Sequence, residues 1–163
     1  MSARPRIATV GVYGATLDSF LASLHVAGVS LILDVRQRRG VRGREYSWAN
    51  ARRLQGALEG ARIEYRHVRE LAPTTELRER QYAVDRAAGV GKRSRRRIAP
   101  EYVDGYREQI LERFAFRALV ETLPQTGLAA LMCVERDPEA CHRSLIAERL
   151  RAEFGFEVVD LRP

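Results

Sequence analysis

The 163-residue chain is 45% hydrophobic and 30% charged, which excludes a disordered or collagen-like polymer and suffices to bury a core in a single domain over 1–163. No apolar run reaches the roughly 20 residues of a membrane-spanning helix, so no membrane association is expected. The net charge of +7 and pI of about 10.1 point to an anionic partner, although only Lys92 of the 28 basic residues is lysine, as an arginine-rich codon bias would also produce.

The opening MSARPRIATVGVYG has no apolar core behind its basic residues and does not read as a secretory leader. With two cysteines, the expected setting is a reducing cytoplasm with no standing disulfide. RIATVGV (6–12) predicts a first strand, and TLDSFLASLHVAG (16–28) a helix that turns Phe20, Leu21 and Leu24 inward and ends at Gly28. His25 belongs to the last turn of that helix. VSLILDVR (29–36) is a nearly continuous apolar run, as in a parallel strand covered on both faces. SWANARRLQGALEG (47–60) predicts a helix capped by Ser47, and ARIEYRHV (61–68) a third strand. PTTELRERQYAVDRAAG (73–89) reads as a polar, exposed helix. The basic segment 89–100 has turn residues and no apolar periodicity, which predicts a mobile loop. Ile110, Leu111, Phe114, Ala118 and Leu119 lie at helical spacing within 101–122. A fourth strand (127–135), a helix (138–154) and a short last strand (156–162) complete the chain. This alternation predicts a single three-layer α/β domain with a mostly parallel sheet of about five strands.

Ligands of open α/β sheets bind beyond the carboxyl ends of the strands. The second strand ends in Asp34-Val35-Arg36, the third near His67, and the fourth in Cys133-Val134-Glu135. Gly11 and Gly14, after the first strand, would let backbone approach a ligand, although GVYGAT matches no dinucleotide or phosphate-loop fingerprint. Asp137-Pro138-Glu139 predicts a helix start, which places Cys141, His142 and Arg143 at the same sheet edge. Arg143 falls on the apolar side of that helix, where it needs an internal acid (Glu135, Asp34 or Glu139) or a bound anion. Cys133 is a core residue or a nucleophile with a lowered pKa. The Cys-x5-Arg loop of cysteine phosphatases is absent, since Glu139 stands at that position. The Cys-x7-Cys-His spacing is not that of a usual structural zinc site, so no metal is expected; the metal alternative uses Cys133, Cys141 and His142, with His67 as a fourth ligand.

The DVR that ends the second strand, YRHVRELAPT after the third, and LMCVERDPEACHRSLIAERL together resemble the DUF488 family of uncharacterised bacterial and archaeal proteins. The resemblance covers most of the chain, and its most specific part is C-x-E-x-D-P-x-x-C-H-R. It implies a compact α/β domain and a site combining Asp34, Arg36, Cys133, Glu135, Cys141, His142 and Arg143. Related sequences commonly carry Pro-x-Ser-Arg shortly after DVR, whereas this chain has QRRGVRGR.

Three functions follow as expectations. The first is an enzyme, a hydrolase or transferase, acting on a phosphate-bearing substrate such as a nucleotide or nucleic acid. Asp34, Cys133, Glu135 and His142 would be its catalytic groups, and Arg36, His67 and Arg143 its substrate or anion ligands. The second is a non-catalytic nucleic-acid-binding module using Arg38, Arg39, Arg42 and Arg44 with Lys92, Arg93, Arg95, Arg96 and Arg97. The third is a metal or redox sensor built on the cysteines. No cofactor is required by the sequence.

Overall fold

The computed structural model describes residues 3–163. Five strands, β1 (Arg6–Val10), β2 (Val29–Asp34), β3 (Glu64–His67), β4 (Leu128–Met132) and β5 (Glu157–Asp160), form one sheet in the order β3-β2-β4-β1-β5. Every neighbouring pair is parallel, so the three-layer α/β expectation holds with an all-parallel sheet. β4 is buried at every position, whereas the edge strands β3 and β5 are not. That contrast explains why the central strands read as unbroken apolar runs.

The helices are α1 (Leu17–Ala27), α2 (Ala51–Gly60), α3 (Thr75–Ala87), α4 (Pro100–Tyr106), α5 (Phe116–Glu121) and α6 (Arg143–Phe154). Thr16 caps α1 through a reciprocal bond pair with Ser19, and Gly28 ends it in the left-handed conformation. Phe20 and Leu24 are buried and Leu21 is half-buried, as the helical spacing requires. Among the described residues, no helix is long and apolar enough to cross a membrane.

Three segments depart from the sequence expectations. The helix expected from Ser47 begins at Ala51, after a 3-10 turn over Arg44–Ala49. Asn50 holds the junction by accepting the Val41 N–H at 2.7 Å, while Ser47 accepts from Arg53. The continuous helix expected over 101–122 is divided into α4, a π turn (Arg107–Leu111) and α5. Tyr106, Leu111, Phe116 and Leu119 stay buried across the breaks, so the apolar spacing does not record them. The last helix starts at Arg143 rather than at Pro138, which opens a separate 3-10 turn over Pro138–Ala140. Asp137, the expected cap, pairs instead with Arg162 at 2.7 Å.

The topology creates the crevice. From β1 the chain moves toward β3; from β3 it returns, filling the β4 position before reaching β5. Right-handed crossovers then place helices on both faces. β2 and β4 are neighbours whose continuations leave in opposite directions, so their carboxyl ends define the switch point where a ligand fits.

Candidate functional site

The loop after β4 is clamped from several directions. Val12 and Tyr13 donate their N–H groups to Val134 O at 3.0 and 2.9 Å, and Val35 donates to Met132 O at 3.1 Å. Gly11 permits this approach, because a Cβ there would run into the Glu135 carbonyl. Arg143 is fully buried and donates to Glu135 O at 2.6 Å and Arg136 O at 3.1 Å. Among the described residues no carboxylate lies at ion-pair distance from it and its Nε has no partner; main-chain oxygens take its charge. It braces the loop and lines neither of the two cavities described below.

The end of β2 is equally committed. Arg36 makes a forked contact with Asp34, with Nε at 2.9 Å and Nη2 at 2.8 Å, and gives Nη1 to Ala49 O at 2.8 Å. Burial disfavours the Arg36 charge, but Asp34 outweighs burial and holds the guanidinium above its ordinary value. Tyr65 donates to the same carboxylate at 2.5 Å. Burial together with this bond pushes the Tyr65 phenol up to about 12. His67 Nε2 lies 2.8 Å from Arg36 O, so His67 holds the strand end and stands apart from the cysteines.

Cys133, Glu135, Cys141 and His142 meet above these supports. Glu135 is buried, and Arg95 binds its Oε1 at 2.8 Å while binding Asp85 at 2.7 Å. Arg95 also donates to Ala140 O at 3.2 Å. Burial would raise the Glu135 carboxyl, yet Lys92 and Arg95 overcome it and lower the value to about 2. Glu135 is therefore a fixed negative charge and a weak general base. Lys92 in turn is raised, with Glu135 and Cys133 outweighing burial.

His142 Nε2 lies 2.8 Å from Val35 O. Its Nδ1 faces Cys133 Sγ at 3.8 Å and Cys141 Sγ at 3.7 Å. Cys141 is 1% exposed. It has extended backbone (φ −138°, ψ 146°) between the 3-10 turn and α6, which turns its sulfur inward. The hydrogen bond with Cys141, reinforced by burial, pushes the Cys133 thiol well up. An unassisted Cys133 thiolate is thus disfavoured at neutral pH.

These groups floor a cavity of about 50 Å³, walled by Arg38, Arg78, Lys92 and Tyr82. It shares those four side chains with a wider basin of about 630 Å³ that adds Tyr13, Arg42 and Arg93. Among the described residues, Arg38, Arg78 and Lys92 form no ion pair. Arg93 joins the two basic loops by binding Glu45 at 3.2 Å and Arg42 O at 2.9 Å, and lies over the Tyr13 and Tyr46 rings. Arg42, Arg44, Arg96 and Arg97 are exposed, whereas Arg39 is half-buried and contacts the Tyr65 hydroxyl at 3.4 Å. Arg95, grouped with the solvent-facing arginines from sequence, is an internal residue.

Residues of α3 were not expected here. Arg78, Gln81, Tyr82 and Asp85 repeat at i, i+3, i+4 and i+7, so one polar face of that helix forms a cavity wall and its support. Gln81 links Asp85 at 2.8 Å to the Ala99 N–H at 2.8 Å. The spacing was present in the sequence, but a polar helical face ordinarily meets solvent. A family model described as Domain of unknown function DUF488 matches residues 16–150. No curated protein and no solved structure matches the chain.

Proposed function

The chain belongs to the DUF488 family, and from that premise we propose that it is an enzyme acting on a phosphate-bearing substrate in the crevice between β2 and β4. The observation that carries this reading is that Arg38, Arg78 and Lys92 line both the small cavity and the basin and, among the described residues, have no carboxylate at ion-pair distance. At roughly 10–15 Å³ for each water-sized site, a cavity of about 50 Å³ suits a terminal phosphoryl group. The body of the substrate would lie in the basin, where Tyr13 and Tyr82 offer aromatic surface.

In this reading the anion is held by Arg38, Arg78 and Lys92, and Arg36, His67 and Arg143 position the loops that carry the site. Lys92 is oriented by the permanent charge of Glu135. His142 and the two cysteines form the floor that faces the reacting group. The test is turnover of a panel of phosphomonoesters, nucleoside phosphates and short oligonucleotides by the reduced protein, beside Lys92→Met and Arg78→Ala. Phosphate release or transfer by the wild type, reduced at least tenfold in both variants, is expected. Equal turnover by all three proteins would refute the reading.

A second reading, a nucleic-acid-binding surface, is favoured by one observation: Arg93 brings the 36–44 and 89–100 loops together around the basin. The two readings converge if the phosphate-bearing substrate is itself a polynucleotide.

A further inference from the structure

We infer that Cys133, Cys141 and His142 form a three-ligand site for a soft divalent metal ion, zinc foremost, with its fourth position open to the cavity. All three residues are buried, and their donor atoms lie within 4.8 Å of one another. Around a tetrahedral zinc with bonds of about 2.3 Å to sulfur and about 2.0–2.1 Å to nitrogen, neighbouring sulfur and nitrogen ligands stand roughly 3.6 Å apart. The two observed Sγ to Nδ1 separations, 3.8 and 3.7 Å, are within a few tenths of that edge length.

The surroundings match what such a ligand set needs. In the neutral imidazole the Val35 carbonyl holds the proton on Nε2, which turns the Nδ1 lone pair toward the sulfurs, the arrangement that orients a metal-binding histidine. The Arg143 N–H points at Cys141 Sγ at 3.5 Å, a donor that stabilises thiolate. Two thiolates and a neutral imidazole balance the charge of a divalent ion. Packing alone gives no reason for two sulfurs and one ring nitrogen to converge on a common point. All three ligands line the small cavity, so a bound ion would meet it directly and take water or an anionic oxygen at the fourth position, as in catalytic rather than closed structural sites. Glu135 Oε2, 3.4 Å from Cys133 Sγ, stands beside the ligand set.

The ligand spacing in sequence names these three residues but argues against a site, because Cys141 and His142 are adjacent and both turn inward only through the extended backbone at Cys141. The inference does not depend on the substrate proposed above.

The test is titration of reduced, chelator-treated full-length protein with cobalt(II) under anaerobic conditions. One equivalent is expected to give the visible ligand-field bands of a tetrahedral site and thiolate-to-cobalt charge transfer in the near ultraviolet, both erased by one equivalent of zinc. Cys133 and Cys141 are the only cysteines in the chain, so the charge-transfer band reports on them alone even if a variant fails to fold. Cys133→Ser and Cys141→Ser should each reduce that band, and His25→Gln, on α1, should leave it intact. Folded, reduced wild-type protein that gives no charge-transfer band, or only the weak spectrum of an octahedral oxygen site, would overturn the inference. Phosphate binding, measured separately on metal-free protein, bears on the substrate reading and not on this one.

Discussion

Within KRSRRR, neighbouring basic residues do different work. Arg95 bridges the buried Asp85 and Glu135 carboxylates, so Arg95→Met strips Asp85 of that ion pair and leaves Glu135 with the charge of Lys92. It should cost about 3–5 kcal/mol, as breaking a buried ion pair does, whereas Arg96→Ala and Arg97→Ala should stay within about 0.5 kcal/mol. Urea denaturation separates these outcomes, and an Arg95→Met protein as stable as wild type would refute the internal assignment. The sequence shows five basic residues in six but not which one points inward, since that depends on acids 10 and 40 residues away. Tyr65 gives a pH-dependent counterpart. Its folded value near 12 lies above the ordinary 10, so its stabilising contribution is whole below pH 10 and is lost as the pH rises toward 12. Tyr65→Phe should therefore be less stable than wild type near pH 8, by about 1–2 kcal/mol for the lost hydrogen bond to Asp34. The gap should close above pH 12 in denaturation curves; a gap independent of pH would contradict this.

Among the elements, the strands and their order along the chain were legible because buried parallel strands need apolar runs that few helices imitate. The polar ends of β2 and β4 were legible for the same reason: Asp34, Arg36, Cys133 and Glu135 interrupt those runs. Less visible were the breaks near 112–115 and 138–142, where apolar spacing continues while the backbone changes its hydrogen-bonding pattern. The inward turn of Cys141 follows from the second break. Gly11 was read as room for a ligand; it makes room instead for the Glu135 main chain. Gly11→Ala should cost roughly 1–3 kcal/mol as an overpacked site and displace the Cys133–Glu135 loop. Thermal unfolding measures the first effect and the cobalt spectrum the second; an unchanged melting temperature would show that the two loops separate easily.

At the scale of the molecule, the net charge of +7 is unevenly spent. Arg36, Arg95 and Arg143 are internal, while Arg38, Arg42, Arg78, Lys92 and Arg93 surround the basin. Single-stranded oligonucleotide binding should therefore weaken steeply with salt. Arg42→Ala combined with Arg93→Ala should flatten that salt dependence, whereas a slope equal to wild type would place binding on another surface. Overall charge suggested an anionic partner, but only folding sorts internal braces from cations that face the basin. Calorimetric titration of the reduced protein with inorganic phosphate at low ionic strength, beside Lys92→Met, tests the central claim most directly. The account predicts one site whose affinity falls roughly ten- to hundredfold in the variant, the loss expected when a charged hydrogen-bond partner is removed. Absence of phosphate binding by folded wild-type protein, or equal affinity in Lys92→Met, would contradict it.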